Sequence, residues 1–355
     1  MRRGIRTVLA LVLIAALSML ALGGCGGTTP AEPTTPPAAK LKAGMVTDIG
    51  GLGDKSFNDL SYAGLQKAEK ELGVEIKAVS SKAMTDYDSN IALLANDKYE
   101  VIFCVGFLMG DAISKAATDF PSVKFGGIDI FNGGTQPNQL GLLFKEQEAG
   151  YLAGVTAGLL TKDTAVDPRI NKENVIGFVG GMPIPPVQKF EAGFIAGAKS
   201  VNPDVVVKSL YSGSFTDQAK GKELGLSLIS QKVDIIFAAA GQSGIGAYQA
   251  CKEKNALFIG VDSDQYLTLP TPGDTVITSA MKRVDVGVFD TIKAVKDGTY
   301  KAGNMTFGLK EGGVDLAPWH DFESKVPQTL KDAIEKAKAA IIDGSVVVPE
   351  DPTKA

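Results

Sequence analysis

Three aspartates stand directly after short apolar runs: Asp48 after Met45-Val46-Thr47, Asp129 after Gly126-Gly127-Ile128, and Asp262 after Ile259-Gly260-Val261. An ionised carboxylate accepts several hydrogen bonds, the geometry that neighbouring sugar hydroxyls supply. The three are therefore candidates for gripping a polyol. An aspartate at a strand end can instead cap a helix or hold a turn, but three at equivalent strand ends favour the ligand role. Asn58 could pair with a ring edge or a hydroxyl. Phe57 and Phe215 sit in polar, turn-like surroundings, Asp54-Lys55-Ser56-Phe57-Asn58 and Ser214-Phe215-Thr216-Asp217. A phenyl ring there can stack on a flat ligand, worth about 1–3 kcal/mol per base, or it can plug the start of a helix. A fourth polar stretch, Gly241-Gln242-Ser243-Gly244, also follows an apolar run.

Other chemistries find little support. Ser243 lacks the final glycine of a Gly-x-Ser-x-Gly elbow, and Gly53-Asp54-Lys55-Ser56 mimics only part of a phosphate loop. The single histidine, His320, leaves no His-based metal site or nucleophile–histidine pair and reads as a packing or surface residue. Cys104 and Cys251 read as small buried hydrophobes rather than a disulfide. No cofactor is called for. Paired carboxylates could still act on a glycosidic bond, so an extracellular nucleoside-processing enzyme is the alternative from another class. The formal charge of −4 drops to −7 without the three leader arginines. An acidic chain without basic clusters is a poor binder of nucleic acid.

The elements that must position these residues alternate. Strand-like runs at 43–47, 74–79, 101–105 and 123–128 are separated by segments of helical period. The clearest begins at Ser56, a good N-cap, and carries apolar residues at three- and four-residue steps to Leu72. The alternation restarts at 175–179, 205–210, 233–238 and 257–261, with helical stretches after Pro186, Phe215 and Ser243. Both halves end a strand in Gly-[Ile/Val]-Asp. The prediction is α/β: two Rossmann-like lobes with parallel sheets and a cleft between them, since ligands bind beyond the carboxyl ends of such strands. A three-segment hinge is expected near 145–148, 263–266 and 281–284. One lobe would then comprise 41–145 plus roughly 264–281, the other 146–263 plus roughly 282–350 with a C-terminal crossover.

The chain opens with Arg2, Arg3 and Arg6 before an apolar run ending in Leu22-Gly23-Gly24-Cys25. A basic start and an apolar stretch of roughly 7–15 residues make a secretory signal, here 1–24, and the end of the run resembles the lipobox of bacterial lipoproteins. Cys25 is the expected lipidation site, anchoring the chain to the extracytoplasmic face of the cell membrane. The Gly/Thr/Pro-rich stretch at 25–40 reads as a solvated tether.

Thr47-Asp48, the Asp54–Asn58 motif, Glu146-Gln147-Glu148-Ala149-Gly150-Tyr151 and Gly260-Val261-Asp262-Ser263-Asp264-Gln265 with Ala280-Met281-Lys282 resemble the basic membrane protein family of lipoproteins, nearest its purine nucleoside receptor branch. The resemblance runs from about residue 41 to 344. It implies a type I periplasmic-binding-protein fold, an ABC permease as partner, a purine nucleoside (adenosine, guanosine or inosine) as ligand, and no catalysis. It further implies Asp48 and Asn58 at the base edge, with Phe57 on one base face and Phe215 on the other, Phe190 being the rival. Asp262 and Lys282, as counter-charges, would hold the ribose hydroxyls, Gly241 would let backbone approach the sugar, and Asp129 would face the ligand. Gln242 departs from the Gly-Gly-Thr-Gly common in that family. A free sugar or another polar metabolite remains the alternative ligand, because carboxylates and aromatics serve pyranoses too.

Overall fold

A computed structural model describes residues 39–355; the signal segment, Cys25 and nearly all of the tether lie outside the described residues. The first lobe runs β1 (Lys42–Thr47), α1 (Phe57–Leu72), β2 (Glu75–Val79), α2 (Tyr87–Asn96), β3 (Val101–Val105), α3 (Gly110–Asp119), β4 (Lys124–Ile128) and β5 (Gln139–Phe144). Helix α4 (Glu146–Leu160) leads into β6 (Val175–Gly180), α5 (Pro185–Val201), β7 (Val206–Tyr211), α6 (Gln218–Ser230), β8 (Ile235–Ala239), α7 (Gln242–Lys254), β9 (Leu257–Asp262), α8 (Gln265–Thr268) and β10 (Val276–Lys282). The chain ends with α9 (Val284–Lys296), β11 (Gly303–Phe307), β12 (Val314–Leu316) and α10 (Gln328–Ile342).

Two six-stranded sheets result, ordered β11-β5-β4-β3-β1-β2 and β12-β10-β9-β8-β6-β7. Central strands such as Val101–Val105 and Ile235–Ala239 are buried at every position, as expected where helices cover both faces of a parallel sheet. Every pairing is parallel except β10 with β12. In each sheet the strand order reverses beside the first strand, between β1 and β3 and between β6 and β8. At such a switch point the connecting loops diverge and leave a crevice.

Residues 264–281 belong to the second lobe, which corrects the expected boundary. Strand β10 pairs in parallel with β9, Ser279 beside Gly260 and Ala280 beside Val261, and α8 is only a short connection between them. The chain therefore does not cross at 263–266. It crosses after β5, again between β10 and α9, and last between β11, which pairs with β5, and β12, which pairs with β10. Residues 284–307 accordingly return to the first lobe, where α9 packs on α1; a Cβ on Gly64 would lie 2.6 Å from the Asp285 carbonyl oxygen.

Candidate ligand-binding site

The carboxyl ends of both sheets face one cleft, which encloses about 560 Å³ when its open mouth is included. Asp48, Phe57, Asn58, Asp129, Phe215, Gly241, Asp262 and Lys282 all line it, and so does Phe190.

The first wall is the loop from β1 to α1. Ser56 occupies the N-cap position, but its hydroxyl makes no capping bond; the sequence-based assignment of that role is corrected. Asp54 does the capping: its carboxylate accepts from the backbone N–H of Ser56 (3.0 Å), Asn58 (2.8 Å) and Asp59 (3.1 Å), satisfying donors that a helix start leaves unpaired. The Ser56 hydroxyl is thereby free to donate across the cleft to Asp262 Oδ2 at 2.6 Å. Asn58 Nδ2 donates to Asp48 Oδ1 (3.0 Å) and Asp54 Oδ2 (3.1 Å). Asp48 Oδ1 also accepts the Gly50 N–H at 2.9 Å. Burial pushes the Asp48 carboxyl up to about 6, with the Asn58 and Gly50 hydrogen bonds pulling the other way.

Asp129 and Asp262 occupy matching places. Each ends a strand in a left-handed backbone conformation, φ 62° and 61°, which aspartate tolerates better than most residues. Lys282, 1% exposed, donates to Asp129 Oδ2 at 2.6 Å and lies 2.8 Å from Glu146 Oε1. This corrects the expected pairing of Lys282 with Asp262: the bonded partners are Asp129 and Glu146, while Asp262 bonds Ser56. Burial opposes the Lys282 charge, but Asp129, Glu146 and Asp262 outweigh it and raise its pKa. Burial raises the carboxyls of Asp129 and Glu146 despite the ammonium beside them. Burial likewise takes Asp262 up to about 6 against the pull of Lys282 and Ser56. The ammonium stands 5.0 Å from the Phe57 ring centroid and 5.2 Å from that of Phe144, cation–π range. Glu146 is the charged residue that reasoning from strand ends missed. Its signal was the Glu-Gln-Glu run opening α4, at the point where the chain leaves the first lobe.

The second wall separates the two rival rings. Phe190 is fully buried and sits edge-on to Phe237 at 5.9 Å and 80°, in the aromatic core of its lobe. Phe215 is half-buried and lies over Gly181, where a Cβ would come within 2.3 Å of its ring. Gly241, at φ 55°, opens α7, and Gln242 Nε2 donates to the Gly50 carbonyl at 3.1 Å. A second bridge between lobes centres on the Lys55 carbonyl, which accepts from Ser263 Oγ (2.9 Å), Gln265 Nε2 (3.2 Å) and Thr268 Oγ1 (3.0 Å). The lobes are thus bonded to each other around the cavity.

Outside the cleft, His320 stacks on Tyr266 (4.1 Å) and contacts Asp264 Oδ2 at 2.7 Å. Cys104 and Cys251 are free, buried thiols, held protonated by that burial. Among the described residues no group of three His, Cys, Asp or Glu side chains could hold a metal ion, and no helix is long and apolar enough to cross a membrane.

Residues 41–351 match the family described as ABC transporter substrate-binding protein PnrA-like. An uncharacterized lipoprotein of Pyrococcus abyssi is 37% identical, covering 86% of this chain and 76% of its own. The ABC transporter nucleoside-binding protein BmpA of Lactococcus lactis subsp. cremoris is 35% identical, covering 97% of this chain and 99% of its own. An ABC transporter solute-binding protein of Aeropyrum pernix K1 shares the fold with a TM-score of 0.80 and 29% identity, over 88% of this chain and 94% of that one. With that match extending over nearly all the described residues, and with two largely parallel sheets facing one cleft, the chain belongs to the PnrA-like family of ABC transporter substrate-binding proteins and has the type I periplasmic-binding-protein fold.

Proposed function

We propose that this protein is a receptor, anchored to the membrane through lipid on Cys25, that captures a purine nucleoside outside the cytoplasm and delivers it to an ABC permease. The observation that carries the reading is the composition of one cavity. Two aromatic rings, Phe57 from the first lobe and Phe215 from the second, line it with Asp48, Asn58, Asp129, Asp262 and Lys282. Rings suit a flat base and carboxylates suit vicinal hydroxyls. The Lactococcus relative, named as nucleoside-binding, supports the same ligand class. In this reading Asp48 and Asn58 meet the base, Phe57 and Phe215 sandwich it, and Asp262, Lys282 and the Gly241 backbone hold the ribose. Asp129 and Glu146 position the Lys282 ammonium. Closure of the lobes buries the ligand without altering it.

Nucleoside monophosphates should bind poorly. Lys282 is already paired with two carboxylates, so a phosphate dianion would enter a closed cleft of net negative charge. The test is calorimetric titration of the full chain with purine nucleosides, their monophosphates, pentoses and hexoses. Tight binding of a monophosphate, or of a free sugar with no nucleoside response, would overturn the assignment. Chromatography of the same mixtures for released base tests the absence of hydrolysis. Partition of the wild type into a detergent phase, lost in Cys25→Ala, tests the anchor.

A further inference from the structure

We propose that Lys189 and Glu350, neither of which lines the cavity, are positioning residues for the Lys282 ammonium, so that the segment 343–355 after α10 serves the ligand site from behind. The proposal rests on the nucleoside reading above, in which Lys282 holds the ribose, and adds what holds Lys282.

Side chains of alternating sign run from the cavity to the surface. Lys282 Nζ lies 2.6 Å from Asp129 Oδ2 and 2.8 Å from Glu146 Oε1. The other oxygen of that glutamate, Oε2, faces Lys189 Nζ at 3.9 Å, and the same ammonium stands 3.5 Å from Glu350 Oε2. Lys282 and Glu146 are enclosed, whereas the side chains of Lys189 and Glu350 are 26% and 61% exposed. Lys189 therefore sits between a buried carboxylate and a solvated one. Burial raises the Glu146 and Asp129 carboxyls, and the charge of Lys189 opposes it together with that of Lys282.

The place of Lys189 is set by backbone packing. A Cβ on Gly193 would lie 2.0 Å from the Gln147 carbonyl oxygen, and one on Gly150 would lie 2.4 Å from that of Phe190. Gln147 follows Glu146 and Phe190 follows Lys189, so the two charged side chains start from helices whose backbones touch at those turns. Glu350 is held as well. Val348, two residues before it, is buried in the core, and Lys199 Nζ donates to the Ala355 carbonyl at 3.1 Å. Gln147 Nε2 donates to Glu350 Oε1 at 3.3 Å, which leaves Oε2 for Lys189.

A carboxylate between two ammonium groups keeps one oxygen on each. Without Lys189, both oxygens of Glu146 are free to turn onto Lys282 and draw its ammonium away from the cavity. The ribose then loses a donor, while the rings and polar groups that face the base are untouched. Glu350 acts one step further out, by keeping Lys189 turned toward Glu146. Its share is smaller, because an exposed ion pair contributes little.

The experiment is isothermal titration into the full chain in detergent at pH 7. The ligands are adenosine, guanosine and inosine, and the 2′,3′-dideoxy analogue of whichever binds most tightly. Wild type is compared with Lys189→Met, Lys189→Arg, Glu350→Gln and the double variant Lys189→Met/Glu350→Gln, with a melting curve on each. Lys189→Met is expected to weaken the ribonucleoside about 3- to 10-fold, as for members of one charge network, and the dideoxy analogue by less than about 2-fold. Lys189→Arg, which keeps the charge, should restore most of the loss. Glu350→Gln should cost about 2- to 5-fold on the ribonucleoside, and nothing further in the double variant, because its effect passes through Lys189.

Equal losses on the ribonucleoside and its dideoxy analogue would overturn the proposal, since the variants would then act on the fold or on the base. Unchanged affinity in Lys189→Met would overturn it too, as would a double variant in which the two losses add. Failure of the wild type to bind any nucleoside would sink the nucleoside reading itself. If Lys189→Met does not fold, Glu350→Gln, on an exposed side chain, decides by the same comparison of the two ligands.

Discussion

Replacing Lys282 by Met keeps the apolar stem and removes the one ammonium that two buried carboxylates share. Asp129 Oδ2 and Glu146 Oε1 lie 2.6 and 2.8 Å from it, and all three side chains are almost wholly enclosed. Removing one partner of a buried ion pair typically costs about 3–5 kcal/mol, because the remaining charge keeps its desolvation penalty without the compensating attraction. Here Asp129 loses its bonded cation while Glu146 keeps Lys189 at 3.9 Å, so the lower part of that range is expected for the ligand-free protein at pH 7. The two carboxylates will respond by taking up protons. Their pKa values are already raised by burial with the ammonium present, and its loss raises them further. A carboxyl whose pKa is higher folded than unfolded stabilises the fold fully below its unfolded value, and that contribution disappears as pH rises through the folded value. The defect of Lys282→Met should therefore shrink as pH falls from 7 toward 5. The wild type gains in the same direction from Asp48, Asp54 and Asp262, each pushed up to about 6 mainly by burial, so the quantity to compare is the difference between variant and wild type. Urea denaturation at both pH values measures it, and Lys282→Met combined with Glu146→Gln should recover part of the loss. A deficit below about 1 kcal/mol, or one identical at pH 7 and pH 5, would refute the account of this cluster.

Two further outcomes are expected. Asp262→Asn should weaken a purine ribonucleoside about 10- to 150-fold and spare its 2′,3′-dideoxy analogue, whereas Phe57→Ala should weaken both, by about 1–3 kcal/mol, because stacking ignores the sugar. Titration calorimetry reads the crossed pattern; equal losses for Asp262→Asn on both ligands would mean that Asp262 acts through its bond to Ser56 rather than on the ribose. Gly193→Ala would place a Cβ 2.0 Å from the Gln147 carbonyl oxygen and should cost about 1–3 kcal/mol by overpacking α4 against α5. Gly133→Ala, which meets nothing within 4 Å, is the control, and equal melting temperatures for the two would contradict the packing described.

Legibility in the sequence followed how local each cause is. The strands at 101–105 and 257–261 could be read because burial on both faces writes a continuous apolar run. Helix α4 gave no such sign: its buried residues go all the way round, so no periodic polar face marks it. Strand β10 hides for a related reason, with Thr278, Ser279 and Lys282 buried among its apolar residues. Its sheet depends on pairing with β9 that no local pattern encodes. The capping role went to Ser56 by residue type, although Asp54, two positions earlier, reaches more of the free N–H groups. Lys282 meets Asp129 and Glu146 only because three distant segments converge where the chain changes lobes.

The repeated Gly-[Ile/Val]-Asp ending is the case where a short pattern and the site coincide. Asp129 and Asp262 share not only the tripeptide but the same left-handed backbone, φ 62° and 61°, at the ends of β4 and β9. The bond partners of these strands are equivalent as well: β4 follows β3 across its sheet as β9 follows β8. A non-glycine residue in this region costs free energy, and such strain persists where surrounding structure overdetermines it. Here the overdetermination is visible on both sides, through Lys282 on Asp129 and through Ser56 on Asp262. In each case the partner comes from the other sheet's lobe: Lys282 ends β10 of the second, and Ser56 precedes α1 of the first. The two strained turns consequently do the same thing in opposite directions. Each hands a carboxylate to a donor on the facing lobe, so both strained strand ends carry a bond between the lobes.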